Sequence, residues 1–171
     1  MTNEIFIVKI DKSTQDLLEI LKGCSSEFVH FKNDIQWSIL EIIEHIYLTD
    51  RVIYTIISST SDTRNFSPEI IGDKNLQKIL VINWKEKIKS PDILKPKGEI
   101  TNMGTLVNLL INQRELWKDD VLKGKISIDN RIYIHPFLGK MTVIDWVNFA
   151  IHHTQRHIQQ IEGIIKKYSS K

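Results

Sequence analysis

The sequence predicts an all-α fold, a four-helix bundle. Three observations carry that prediction: long apolar stripes at helical spacing, two capping boxes, and Gly- or Pro-marked stops between the stripes. At 171 residues, 42% hydrophobic and 26% charged, the chain can bury one sizeable core, so a single domain over 1–171 is expected.

The first helix is predicted from Ser13 to about Cys24, where Leu17, Leu18, Ile20 and Leu21 fall at helical spacing and Gly23 offers a stop. The second opens at Ser38. With Glu41 three residues on, Ser38 forms a capping box in which each side chain satisfies a backbone N–H of the first turn, and Trp37 is placed as a hydrophobic staple. The stripe from Ile39 through Ile42, Ile43, Ile46, Ile53 and Ile57 then carries this helix to Ser58. A polar run ending at Pro68 reads as a loop. Between Gly72 and Ile100 the pattern is mixed: Ile79-Leu80-Val81-Ile82 fits a short helix or a strand, and Ser90-Pro91 and Lys95-Pro96 favour extended chain, which makes a long irregular connection. A third long helix is predicted from near Thr101 to Leu122, stopped by Gly124. After a loop containing Tyr133, His135-Pro136 and Gly139, a second capping box, Thr142 with Asp145, opens a last helix running to about Tyr168.

The 23 basic and 21 acidic residues are scattered and sum to +2, so no field suited to tracking a phosphate backbone is expected, and nucleic acid is excluded as the favoured partner. The single cysteine, Cys24, permits no intrachain disulfide and no Cys-rich zinc site. Neither a secretory leader nor a run of about 18 uncharged apolar residues is present, so a soluble, cytoplasmic protein without a membrane partner is expected.

The chemistry concentrates on the last helix. His153 and His157 stand four residues apart, which puts both imidazoles on one face. That pair alone fits a solvated helix face as well as a metal site. His45 adds a third imidazole on the apolar stripe of the second helix, where an unpartnered polar group is costly to bury. Facing helices of a bundle build metal sites in this way, and three neutral imidazoles suit one divalent ion such as zinc, nickel or iron(II). Three protein ligands leave a coordination position open for water or substrate.

The ordered set Trp37-Ser38, Glu41, His45, then His135-Pro136, Gly139, Thr142, Trp146, His153, His157, Gln160-Ile161 resembles the DinB-like (DinB/YfiT-like) superfamily over about Ile35 to Ile164. The resemblance implies a four-helix bundle and a metal site whose ligands fall on His45, His153 and His157. It also implies metal-dependent transferases that use low-molecular-weight thiols such as bacillithiol on a small-molecule substrate, and homodimers paired through helix faces. The activity expected from it is thiol transfer to a small electrophile. The alternatives are a metal-dependent hydrolase, or a non-catalytic metal-binding, stress-associated module.

Other polar residues have plainer readings. His152 lies about 100° round the helix from His153, where it does not easily share the same metal, and reads as a surface or packing residue. His135 fits turn chemistry or the lining of a pocket mouth, Gln160 fits either a group that orients a ligand or bound water or a buried amide that ties helices together, and Glu41 is explained by its cap. Asp50 and Arg156 are expected to pair with other groups. Trp37, Trp84, Trp117 and Trp146 read as core or interface anchors, and Cys24 as an inert thiol.

Overall fold

The computed structural model describes residues 1–24, 29–30, 36–83 and 90–169, with the side chain of Ser169 excepted. Trp84 and Ile35 lie outside the described residues. Helix α1 spans Asn3–Lys22, α2 Ile39–Ser58, α3 Asp73–Gln77, α4 Met103–Leu122 and α5 Val143–Ser169. The four long ones form the bundle.

Helix α1 begins ten residues before the predicted start at Ser13. Thr2 caps it by accepting the Ile5 N–H at 3.3 Å, and Phe6, Ile10, Ser13 and Leu17 form its buried stripe. Charged Lys9, Asp11 and Lys12 interleave with that stripe and obscure it in the sequence. Helix α2 matches its predicted limits, and both halves of its capping box form: Glu41 N–H to Ser38 Oγ at 3.1 Å and Ser38 N–H to Glu41 Oε2 at 2.8 Å. Asn102 caps α4, accepting from Thr105 N–H.

The region predicted as a loop before the last helix is instead a β-hairpin, β1 Ile132–His135 paired antiparallel with β2 Gly139–Thr142, His135 opposite Gly139. Strands of four residues give too few alternations to show in a sequence. Gly139 takes a φ of 73°, the left-handed conformation that a tight hairpin asks of glycine. In the mixed region the helical alternative wins at Ile79–Ile82, since α3 continues into a π-helical turn over Lys78–Ile82, and a 3₁₀ turn follows at Asp92–Leu94.

Two apolar clusters fill the bundle. One joins Phe6 and Ile10 of α1, Ile53 and Ile57 of α2, Trp117 and Val121 of α4, and Val143, Val147 and Ala150 of α5. The other joins Leu17, then Ile39, Ile42, Ile43 and Ile46, then Leu106 and Leu110, then Ile161 and Ile164. Helices α1 and α5 therefore run from the first cluster to the second, and α2 and α4 run the opposite way. Each of α1 and α2 packs against both α4 and α5, so the consecutive helices α1 and α2 stand diagonally opposed. Because α2 and α4 point the same way, the chain between them must return along the whole bundle, about 30 Å for a helix of 20 residues. This accounts for the long connection 59–102, which passes the candidate site on its way.

Candidate metal centre

Between the apolar clusters lies a polar layer, to which α2 contributes His45, Thr49 and Asp50, α4 Arg114, and α5 His153, Thr154 and His157, all buried. The structure brings together the three histidines that the sequence singled out. His153 Nε2 stands 3.2 Å from His45 Nε2 and 3.1 Å from His157 Nε2, and the three ligand atoms lie within 4.8 Å of one another. Two ligands on a tetrahedral ion with bonds of about 2.0 to 2.1 Å are roughly 3.3 Å apart, so the two short spacings are those of donors sharing a cation.

The outer ring nitrogens decide where the protons are. His45 Nδ1 donates to the carbonyl of Leu94 at 2.7 Å, and His157 Nδ1 donates to Gln160 Oε1 at 3.0 Å. In a neutral imidazole the second nitrogen is then a bare acceptor. Two bare Nε2 atoms thus face that of His153, whose single available proton can satisfy only one of them. A cation at the convergence resolves the conflict, and the donor set fits a divalent ion. Gln160, one of the residues singled out in the sequence, is thus the hydrogen-bond partner of His157.

Charge is kept off these rings. Burial is the main cause that lowers the pKa of each, pushing His157 to about 3 and His153 well below the usual imidazole range. The neighbouring imidazoles and the Arg156 guanidinium lower both further. For His45, burial outweighs the opposing bond to Leu94. Arg156 itself is lowered to about 10 by burial. Neutral rings are the form that binds metal.

The surroundings hold residues that the sequence did not reveal. Buried Glu44 accepts the N–H groups of Lys97 at 2.9 Å and Gly98 at 3.0 Å, which fastens the returning connection beside the Leu94 carbonyl that orients His45. A glutamate on an apolar stripe was the available signal. Phe149, one turn before His153, stacks on its ring at 5.5 Å and 16°. Arg114 was not singled out either. It donates to Asp50 Oδ2 at 2.8 Å, Thr154 Oγ1 at 2.7 Å and Thr14 Oγ1 at 3.1 Å, tying all four long helices at the level of the site.

The remaining candidates lie elsewhere. His152 turns away to Asp73 Oδ1 at 2.7 Å. His135 sits at the hairpin tip, its Nδ1 accepting the N–H groups of Phe137 at 3.2 Å and Leu138 at 3.1 Å, which bears out the turn reading. Burial lowers its pKa to about 4. Trp117 and Trp146 are core residues, whereas Trp37 is half-buried with its ring 5.0 Å from that of His45. Asp145 serves both as cap partner of Thr142 and as acceptor for the N–H groups of Ile70 and Gly72, at 2.8 and 2.9 Å. Half-buried Cys24 has its pKa raised by burial, which suits an inert thiol.

Residues 9–161 match the sequence model of the DinB superfamily. An uncharacterised protein of Bacillus subtilis (strain 168), YuaE, is 26% identical over 148 residues, covering 86% of this chain and 89% of its own length. Among solved structures, YfiT from Bacillus subtilis, described as a probable metal-dependent hydrolase with an unusual four-helix bundle topology, superposes with a TM-score of 0.62 at 14% identity. That match covers 98% of this chain and 87% of YfiT. The four-helix bundle protein TT2238 gives a TM-score of 0.59 at 15% identity over 95% of this chain and 99% of its own. At such identities these structures speak for the fold. No helix among the described residues is long and apolar enough to cross a membrane.

Proposed function

The chain belongs to the DinB superfamily, and from that premise we propose that it is a metal-dependent enzyme in which His45, His153 and His157 hold one divalent cation and leave coordination positions open to a small molecule. The observation that carries the proposal is the convergence of three Nε2 atoms, two of them stripped of protons by the Leu94 carbonyl and Gln160. Bound there, the ion supplies Lewis acidity and lowers the pKa of a coordinated nucleophile.

Within this reading the preferred nucleophile is a low-molecular-weight thiol, delivered to a small electrophile. The two buried carboxylates flanking His45 on α2 are already engaged, Glu44 by Lys97 and Gly98 and Asp50 by Arg114. A thiol ionises on coordination and asks no base of either carboxylate. The second reading is hydrolysis, supported by the likeness to YfiT, which is described as a probable metal-dependent hydrolase. The protein's residues have the same part in either case. Leu94 and Gln160 hold two imidazoles in the ligating tautomer, and Phe149 covers one face of His153.

Elemental analysis of protein purified without a histidine tag is expected to give about one divalent metal per chain. Turnover is then screened with thiols plus electrophiles and, separately, with esters and amides in water. Metal-dependent loss of thiol supports transfer, and thiol-independent cleavage supports hydrolysis. Stoichiometric absence of metal after reconstitution would falsify the site.

A further inference from the structure

We propose that His135, at the hairpin tip, is a substrate-binding residue: its Nε2–H grips an acceptor oxygen on the far end of the small molecule held at the three-histidine site. The inference rests on the metal reading above and names a feature of the substrate, an oxygen acceptor set a short spacer away from the metal-binding group.

Two backbone N–H groups, of Phe137 and Leu138, donate to His135 Nδ1. An atom accepting two protons carries none, so the ring proton belongs to Nε2. Fixing the tautomer fixes that nitrogen as a donor. The Nε2–H has no hydrogen-bond partner among the described residues, and the ring is half-buried. The turn itself needs only Nδ1, which leaves the donor without a structural task.

The ring's position links it to the site. His135 packs against Trp146 at 5.1 Å and against Phe149 at 4.9 Å, and Phe149 stacks on His153. The rings of the donor and of the candidate ligand therefore both contact one phenyl ring, that of Phe149, which gives the two an apolar neighbour in common. Pockets for small molecules commonly combine apolar walls with a few placed polar groups in this way. The hairpin holds the donor rigidly, because Tyr133 pairs with Met141 and His135 with Gly139.

The test uses the full-length protein loaded with zinc and titrated with acetate and with the dicarboxylates succinate, glutarate and adipate. Acetate can occupy the metal alone, while a dicarboxylate of fitting length reaches His135 as well. At least one dicarboxylate is expected to bind about tenfold more tightly than acetate, the gain from one charge-assisted hydrogen bond, and to move the His135 Nε2 proton in ¹⁵N-histidine NMR spectra. In His135→Asn the amide oxygen can take over the Nδ1 acceptor role while the Nε2 donor is lost. Its acetate affinity is expected to match wild type and its dicarboxylate preference to disappear. Equal affinities for acetate and every dicarboxylate, or probe binding that leaves the His135 resonance unmoved, overturns the inference while the metal site stands. A protein that takes up no zinc overturns both. Should His135→Asn fail to fold, the wild-type NMR shift and the spacer series decide the matter alone.

Discussion

The polar layer at the middle of the bundle contains two neighbouring clusters solved in opposite ways. Arg114 and Asp50, both almost fully buried, pair at 2.8 Å through Asp50 Oδ2, and Thr14 and Thr154 take up two more guanidinium donors, while Asp50 Oδ1 has no hydrogen-bond partner among the described residues. The three histidines, also buried, have acceptors turned on one another, and their internal partners, Leu94 and Gln160, sharpen the conflict by fixing the tautomers. A closed ion pair has its charge balance within the chain and suits a structural crosslink. An open set of lone pairs asks for something the chain does not contain, and that asymmetry separates a fastening from a site.

Substitutions can break this comparison, and the largest effect is expected at the histidines. His153 bridges the other two, so His153→Ala should weaken metal binding by more than about 100-fold, measured by competition with a chelator, while the metal-free fold persists. Metal retained at wild-type affinity would remove His153 from the ligand set. At the closed cluster the signature reverses. Arg114→Met strands the Asp50 carboxylate and should cost about 3 to 5 kcal/mol in urea denaturation, whereas Arg114→Met combined with Asp50→Asn should recover much of the loss. A single variant as stable as wild type would show that Asp50 is already neutral in the fold.

Acid sharpens the contrast. His157 and His135 have folded pKa values of about 3 and about 4, below the unfolded value of 6.5. The fold therefore prefers the neutral rings, and this contribution is complete above pH 6.5 and is lost as pH falls from there toward 3. Metal-free protein is expected to lose roughly 1 to 3 kcal/mol between pH 7 and 5.5, read by denaturation at each pH. A flat profile would contradict the burial of these rings. The smallest effect is expected from Gln160→Leu, which removes the acceptor of His157 Nδ1–H. Metal affinity should fall about 10- to 100-fold with little change in metal-free stability; a drop in stability alone would make Gln160 a packing residue.

What could be read in advance followed the range of the interactions involved. The capping boxes Ser38–Glu41 and Thr142–Asp145 and the His153–His157 pair act over three or four residues, and each appears in the structure where the spacing put it. The hairpin was missed because four-residue strands leave too short a pattern, and the first half of α1 because charges break its stripe. Glu44 and Arg114 were missed for another reason: their partners are Lys97 and Gly98, 53 and 54 residues away, and Asp50, 64 residues away.

By itself, then, the sequence determined the long helices, the divided apolar stripes and the three imidazoles, since helical periodicity and capping are written within one or two turns. Only the tertiary structure decided that α1 and α2 oppose each other diagonally, that the return of residues 59–102 carries the Leu94 carbonyl to His45, and that His153 meets His45 across 108 residues. Those outcomes depend on how buried faces pack and on which backbone groups the crossing chain must satisfy, and no local spacing encodes them.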